Sequence, residues 1–247
     1  MTFFTTLPPV LKLSPKPEAE RTLLLRGLDD AAANKAMTAA LGSPFDVSGA
    51  AHLPTSAFRT RIEGLGDIAG QGEALTVLRL EGITASAAHR AGSLRELLAP
   101  FGTATLVEDV ASAALWATIR DVLPFAASGA LGAWPVWRIV CPPASGAALG
   151  TQLARETGGD VIYDWGGGLI WAALPPKGDA HAPAVRARAH AVGGHATLIR
   201  AAEDVRREVD VFHPQVPGIA ALSERVRASF DPKTILNRGR LSRGAAA

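Results

Sequence analysis

His195 follows the pair Gly193-Gly194. That arrangement could set an imidazole that titrates near neutrality beside backbone open to close ligand approach. The same glycines could equally end a helix, leaving His195 to open a strand. His52, in SGAAHLP, has the same two readings, with the structural one favoured, and His213, in FHP, has no paired carboxylate nearby in sequence. The six histidines show no H-x-x-x-H or H-x-H spacing. A metal site needs three or four converging ligands, so no metal is expected. Asp29-Asp30 and Glu203-Asp204 are adjacent carboxylates. Adjacent helical positions point to different faces, so helix capping explains the first pair and solvated surface the second better than joint acid–base work.

Glycines 166–168 could cradle a phosphate only by leading into a helix N-terminus; they lead instead into an apolar run, which reads as a hairpin. Cys141 precedes Pro142-Pro143 with no Lys or His beside it to lower its pKa, and reads as an inert thiol. Trp134 and Trp137 flank Pro135 in an extended segment and so lie on opposite faces. Trp165 and Trp171 flank the glycine hairpin; packing is their default role and stacking on a flat ligand the alternative. The strongest signal is F-D-P-x-x-I-L-N-x-G-R at 230–240. Asp231-Pro232 ends a helix, Asn237 offers amide donors and an acceptor, and Arg240 carries a permanent planar cation suited to anions.

The elements that must position these residues follow a repeated order. Strands are predicted at 22–25, 45–51, 75–80 and 103–107, with helices at 31–41 and 84–98. After a further helix at 111–123, strands follow at 135–140, 160–164, 169–174 and 195–200. Helices at 145–156 and 183–192 complete the second set, with Ser145 expected to cap the first of them. Both sets read β-α-β-β-α-β. The fold class is therefore α+β: two ferredoxin-like split βαβ units, each an antiparallel sheet with helices on one face, with the two sheets able to join edge to edge. A helix from Pro217 to about Phe230 and a basic tail follow. Val10 to Leu13 reads as a strand with nothing before it to pair with.

The chain has 247 residues, 48% apolar and 19% charged, which is ordinary globular composition. Twenty-five basic against 23 acidic residues leave +2, with no cationic stripe before the C-terminus of the kind that tracks nucleic-acid phosphates. One cysteine excludes an internal disulfide framework and a cysteine-cluster metal site. No G-x-G-x-x-G or P-loop motif occurs. No apolar run reaches the ~18–20 residues of a membrane span, and Met1–Lys12 has no signal-peptide pattern. A cytoplasmic protein is expected, with a place peripheral to the inner membrane, through a complex, left open.

FDPKTILNRGRL at 230–241 resembles the closing signature of vanillyl-alcohol-oxidase/PCMH-type flavoproteins, except that Arg238 stands where proline is usual. Together with residues 15–54, GGHATLIRA (193–201) and VFHPQVPGIAALSERVRASFDP (211–232), it resembles the FAD-binding E subunits of bacterial glycolate oxidases. The resemblance spans essentially the whole chain. It implies FAD-dependent oxidation of a 2-hydroxy acid, glycolate to glyoxylate, beside a homologous flavin D subunit and an iron–sulfur F subunit. It places Asn237 and Arg240 at the FAD, and His195 as a cap residue facing flavin or substrate. By the same resemblance, 1–15 is a remnant of the FAD-binding PCMH domain, 16–205 the cap or substrate domain, and 206–247 the C-terminal helix and FAD-facing tail. Most of the flavin domain is expected to lie outside this chain, which alone is not expected to retain FAD. A non-catalytic assembly module of a multi-subunit flavoprotein complex is the alternative.

Overall fold

The structure, a computed structural model, describes residues 16–58, 68 and 72–236. The expected strand at 10–13, Asn237 and Arg240 lie outside the described residues. The first repeat comprises β1 (Ala19–Arg26), α1 (Asp30–Leu41), β2 (Val47–Leu53), β3 (Leu75–Gly82), α2 (Thr84–Leu98) and β4 (Thr105–Glu108). After α3 (Asp109–Arg120), the second comprises β5 (Val136–Val140), α4 (Pro143–Thr157), β6 (Asp160–Asp164), β7 (Leu169–Ala173), α5 (Ala182–Ala191) and β8 (His195–Arg200). Then come α6 (Glu203–Glu208) and α7 (Pro217–Phe230). The strands form one eight-stranded antiparallel sheet in the order β4-β1-β3-β2-β6-β7-β5-β8. From either outer edge inward, each unit runs fourth strand, first, third, second. The two units meet through their second strands, β2 and β6, whose ladder pairs only His52 with Tyr163.

Strand alternation sorts the core into two faces. Leu23, Leu25, Leu78 and Leu80 pack under α1 and α2, while Trp137, Ile139, Ile170 and Ala172 pack under α4 and α5. All four helices of the split units therefore cover one face. The opposite face is covered in part by α3, through Leu115, Trp116 and Ile119 on Leu24, Ala51 and Val77. A buried polar chain pins α3 there. Trp116 Nε1 donates to Thr22 Oγ1 at 2.8 Å, Thr22 and Ser112 hydroxyls lie 2.7 Å apart, and Ser112 donates to Glu20. Gly49 on β2 lets the Trp116 ring settle: a Cβ there would meet the ring at 2.9 Å. Arg200 ties the loop after α3 to the same face by donating to the carbonyls of Phe125, Leu131 and Trp134.

Two local readings change. Ser145 does not cap α4, which begins at Pro143, a residue pre-set for the first helical turn. Asp29 caps α1, accepting from the Ala32 amide at 2.7 Å, but Asp30 does not share that role. It reaches across the join between the repeats, where its Oδ2 accepts from Tyr163 Oη at 2.5 Å and from Thr151 Oγ1 at 2.7 Å. Asp30 Oδ1 lies 3.4 Å from Nε2 of His52, which is 1% exposed and bonds through Nδ1 to Thr76. Burial raises the Asp30 carboxyl's pKa, but the bonds from His52, Tyr163 and Thr151 outweigh it and hold the group below 3.8.

The free edge of β8 is covered by residues 210–213. Leu198 N donates to Val211 O at 2.8 Å, Ala196 N to His213 Nδ1 at 3.3 Å, and Arg186 to the carbonyls of Asp210 and Phe212. Covering an edge this way blocks pairing with other chains. Partial burial lowers the His213 pKa below 6.5, and Arg186, His190 and His195 lower it further. Asp210 is the acidic residue of the same strap. A proton on Nδ1 would remove the acceptor for Ala196 and set a cation beside Arg186, so the docked strap favours neutral His213. This contribution is fully present above pH 6.5 and is lost as pH falls through the depressed value. Amide exchange at Ala196, corrected for intrinsic rate, should accelerate several-fold between pH 7.5 and pH 5 in the native chain and not in His213→Phe. Equal protection at both pH values would sever the histidine from the docking.

Candidate functional site

Among the described residues, the face opposite α1, α2, α4 and α5 is left uncovered where the two units meet. A groove of about 680 Å³ runs there, lined by Gly49, Arg79, Trp116, Arg138, Asp164, Trp165 and Trp171 among others. Each position follows from strand parity. Val77 and Leu75 face α3, so Arg79 does too; Trp137 and Ile139 face α4 and α5, so Arg138 points the other way. Arg138 pairs in register with Trp171 on β7 and Thr197 on β8. Asp164 and Trp165 stand where β6 turns into the glycine hairpin.

The two arginines differ in their charge balance. Arg79 Nε lies 3.2 Å from Glu81 and 3.1 Å from Ser48 Oγ, with its guanidinium 4.9 Å over the Trp116 ring. Arg138 lies 5.2 Å over the ring of Trp165, an indole 54% exposed. Among the described residues, no carboxylate lies within ion-pair distance of Arg138. Burial raises the Asp164 carboxyl above its ordinary 3.8, only partly offset by the bond from the Trp165 amide and by the charge of Arg79. Among the described residues, the groove thus combines a cation without a carboxylate partner, a carboxyl whose pKa burial raises, and the exposed indole of Trp165.

The glycine hairpin is not a phosphate cradle. Its antiparallel strands pair from Asp160↔Ala173 to Asp164↔Leu169. A Cβ on Gly167 would sit 2.3 Å from the Asn34 amide nitrogen and 2.9 Å from Pro143 O, so α1 and α4 already fill the space an anion would need. Cys141 is buried, and burial raises its thiol pKa, which fits an inert residue. Among the described residues, no group of three or more His, Cys, Asp or Glu side chains could hold a metal.

His195 opens β8 and is exposed. Its neighbours Ala196 and Leu198 alternate into the core under α5, which places His195 on the open face by parity. It shares a row with Val140, Leu169 and Asp164, three strand spacings from Asp164, or roughly 14 Å at ~4.8 Å each. It does not line the groove. Trp134 and Trp137 do fall on opposite faces: Trp137 is buried under α5, its Nε1 donating to Ala180 O, and Trp134 packs on the other side. Sequence reasoning missed Arg79, Arg138 and Asp164. The available signal was a charged residue at the outward position of an otherwise apolar strand, in LTVLRL and PVWRIV.

No family model matches the sequence, and no curated protein matches it. The fold does match solved structures. It is similar to 4-ethylphenol oxidase from Gulosibacter chungangensis in its isoeugenol complex, with TM-score 0.56 and 16% identity, covering 94% of this chain and 55% of that one. It is similar to p-cresol methylhydroxylase with substrate bound, with TM-score 0.53 and 15% identity over 92% of this chain and 53% of that one. An alkyldihydroxyacetonephosphate synthase gives TM-score 0.52 at 11% identity, covering 89% of this chain and 44% of that one. The chain spans about half the length of these relatives. At such identities the likeness establishes a shared α+β fold. No helix among the described residues is long and apolar enough to cross a membrane.

Proposed function

We propose that this chain is the substrate-side lid of an FAD-linked oxidoreductase that oxidises a 2-hydroxy acid, glycolate to glyoxylate being the reaction the sequence resemblance implies. The open-face groove carries the reading. It offers indole surface and an arginine without a carboxylate partner among the described residues, on the side of the sheet that the split-unit helices leave bare, in a fold shared with a 4-ethylphenol oxidase and a p-cresol methylhydroxylase about twice as long. The described residues fit a wall facing a flat ring. They do not fit a pyrophosphate cradle, because the glycine hairpin is filled by α1 and α4. This reading assigns the cradle to polypeptide beyond them.

When bound, FAD supplies the two-electron acceptor for oxidation of the alcohol. The chain's own residues bind and orient. Arg138 attracts the acid's carboxylate, the indoles exclude water from the groove, and Asp164 lines it with a carboxyl whose pKa burial raises. Asn237 and Arg240 contact the flavin, and His195 stands at the rim of the open face. A homologous flavin D subunit and an iron–sulfur F subunit carry the electrons onward. In the enzyme assembled with its flavin cradle, Asn237→Ala is expected to release FAD on gel filtration and to lower glycolate oxidation at least tenfold. Unchanged flavin retention and turnover together would remove Asn237 from the site.

A second reading, a non-catalytic assembly module, is favoured by α7. Ile219, Leu222 and Val226 form an apolar stripe at helical spacing, each about half exposed, and none of the helix's residues is buried among the described ones. In the enzyme assembled with its flavin cradle, Leu222→Asp on this stripe that disperses the complex, together with Arg138→Met that leaves turnover unchanged, would support this reading over the first.

A further inference from the structure

Arg138 and its indole neighbours specify more than a generic acid, and the following deepens the reading just given and rests on it. The groove's volume is about 680 Å³. A two-carbon hydroxy acid occupies roughly the space of three waters, about 90 Å³ at ~30 Å³ per water, so the groove has room for a larger ligand. Sites of ~300–1,000 Å³ more often hold ligands with several rings or chains.

The lining points the same way. Trp165 has half its surface exposed and carries the Arg138 guanidinium on its ring, while Trp171, only partly buried, stands beside Arg138 as its register partner. Trp116, by contrast, is buried, with its Nε1 donating to Thr22, whereas more than half of Trp165 stays open. Arg79 is likewise balanced by Glu81. One cation without a carboxylate partner among the described residues, lying on the exposed indole of Trp165 and paired across the strands with Trp171, is a subsite for a carboxylate attached to a flat apolar group.

We propose that Arg138 is the carboxylate anchor of the groove, and that Trp165 and Trp171 hold an aromatic ring beside it, so that the preferred ligand is an aryl-substituted 2-hydroxy acid. The planar fork of arginine can donate to both carboxylate oxygens, and its stacking on Trp165 sets the plane of the fork before the ligand arrives.

Binding can be read on the chain as it stands, without flavin, by tryptophan fluorescence and calorimetry with mandelate, phenylacetate and glycolate. Mandelate should bind at least tenfold more tightly than glycolate. Arg138→Met and Arg138→Gln should each weaken mandelate at least tenfold, and Trp165→Leu several-fold, with far-UV circular dichroism unchanged. Arg155→Met, on the opposite face in α4, should have no effect. Equal affinity for mandelate and glycolate would overturn the aromatic part. Unaltered mandelate binding in both well-folded Arg138 variants would overturn the anchor. Phenylacetate binding as tightly as mandelate would leave the anchor standing while overturning the 2-hydroxy-acid class, and so counts separately against the proposed reaction.

Discussion

Asp30→Ala is expected to destabilise the chain by about 3 kcal/mol, whereas Asp29→Ala, one residue earlier, should cost only about 1 kcal/mol. The difference follows from what each carboxylate touches. Asp29 satisfies one orphan amide at the start of α1. Asp30 accepts from Tyr163 and Thr151 of the second repeat and faces buried His52, at a join where the β2–β6 ladder contributes a single paired position. Removing it leaves the Tyr163 hydroxyl and the Thr151 hydroxyl without their acceptor and exposes the weakness of that ladder. The pH dependence has the sign of a depressed carboxyl: the Asp30 contribution is present above 3.8 and is lost as pH falls below it. Urea denaturation of both variants checks the contrast. Equal losses would mean that Asp30 does no more than its neighbour.

The second large effect concerns α4, which lies on the hairpin through two glycines one turn apart. A Cβ at Gly146 would stand 2.0 Å from the backbone oxygen of Gly167, and one at Gly150 would stand 2.3 Å from the Tyr163 hydroxyl. Glycine-to-alanine changes inside a helix ordinarily stabilise by roughly 1 kcal/mol. Here both should destabilise, by a net ~2 kcal/mol or more, because the overlap forces the helix off the sheet. Gly146→Ala should be the worse, since a backbone cannot swing aside as a side chain can. Gly150→Ala should also uncouple Tyr163 from Asp30, so that adding Asp30→Ala costs less in this background than in the native chain. Thermal and urea denaturation of the two single variants and the Gly150/Asp30 double variant test this; stabilisation by either alanine would show that α4 does not ride that close.

Much of the fold could be read from the chain because its signals are local. The α2 and α7 boundaries, the strands at 160–164 and 195–200, and the doubled β-α-β-β-α-β order all follow from apolar period and from glycine or proline stops. The site was less legible because it depends on tertiary neighbours. Asp30 meets partners 121 and 133 residues away, so its adjacency to Asp29 suggested only a shared cap. Arg79 and Arg138 come from different repeats and share a groove only because β2 and β6 join. Trp165 drew notice for its glycines, yet its role as a platform for Arg138 emerges only with β5 and β7 in register.

The claim on which the rest depends is that this chain supplies one wall of the site and that the FAD cradle is made elsewhere. Incubating the purified chain with excess FAD, passing it through gel filtration and recording absorbance at about 450 nm, where oxidised flavin absorbs, tests it most directly. The account predicts a protein peak without flavin, while the same fraction still binds a carboxylate ligand through Arg138. A peak carrying stoichiometric flavin would contradict it.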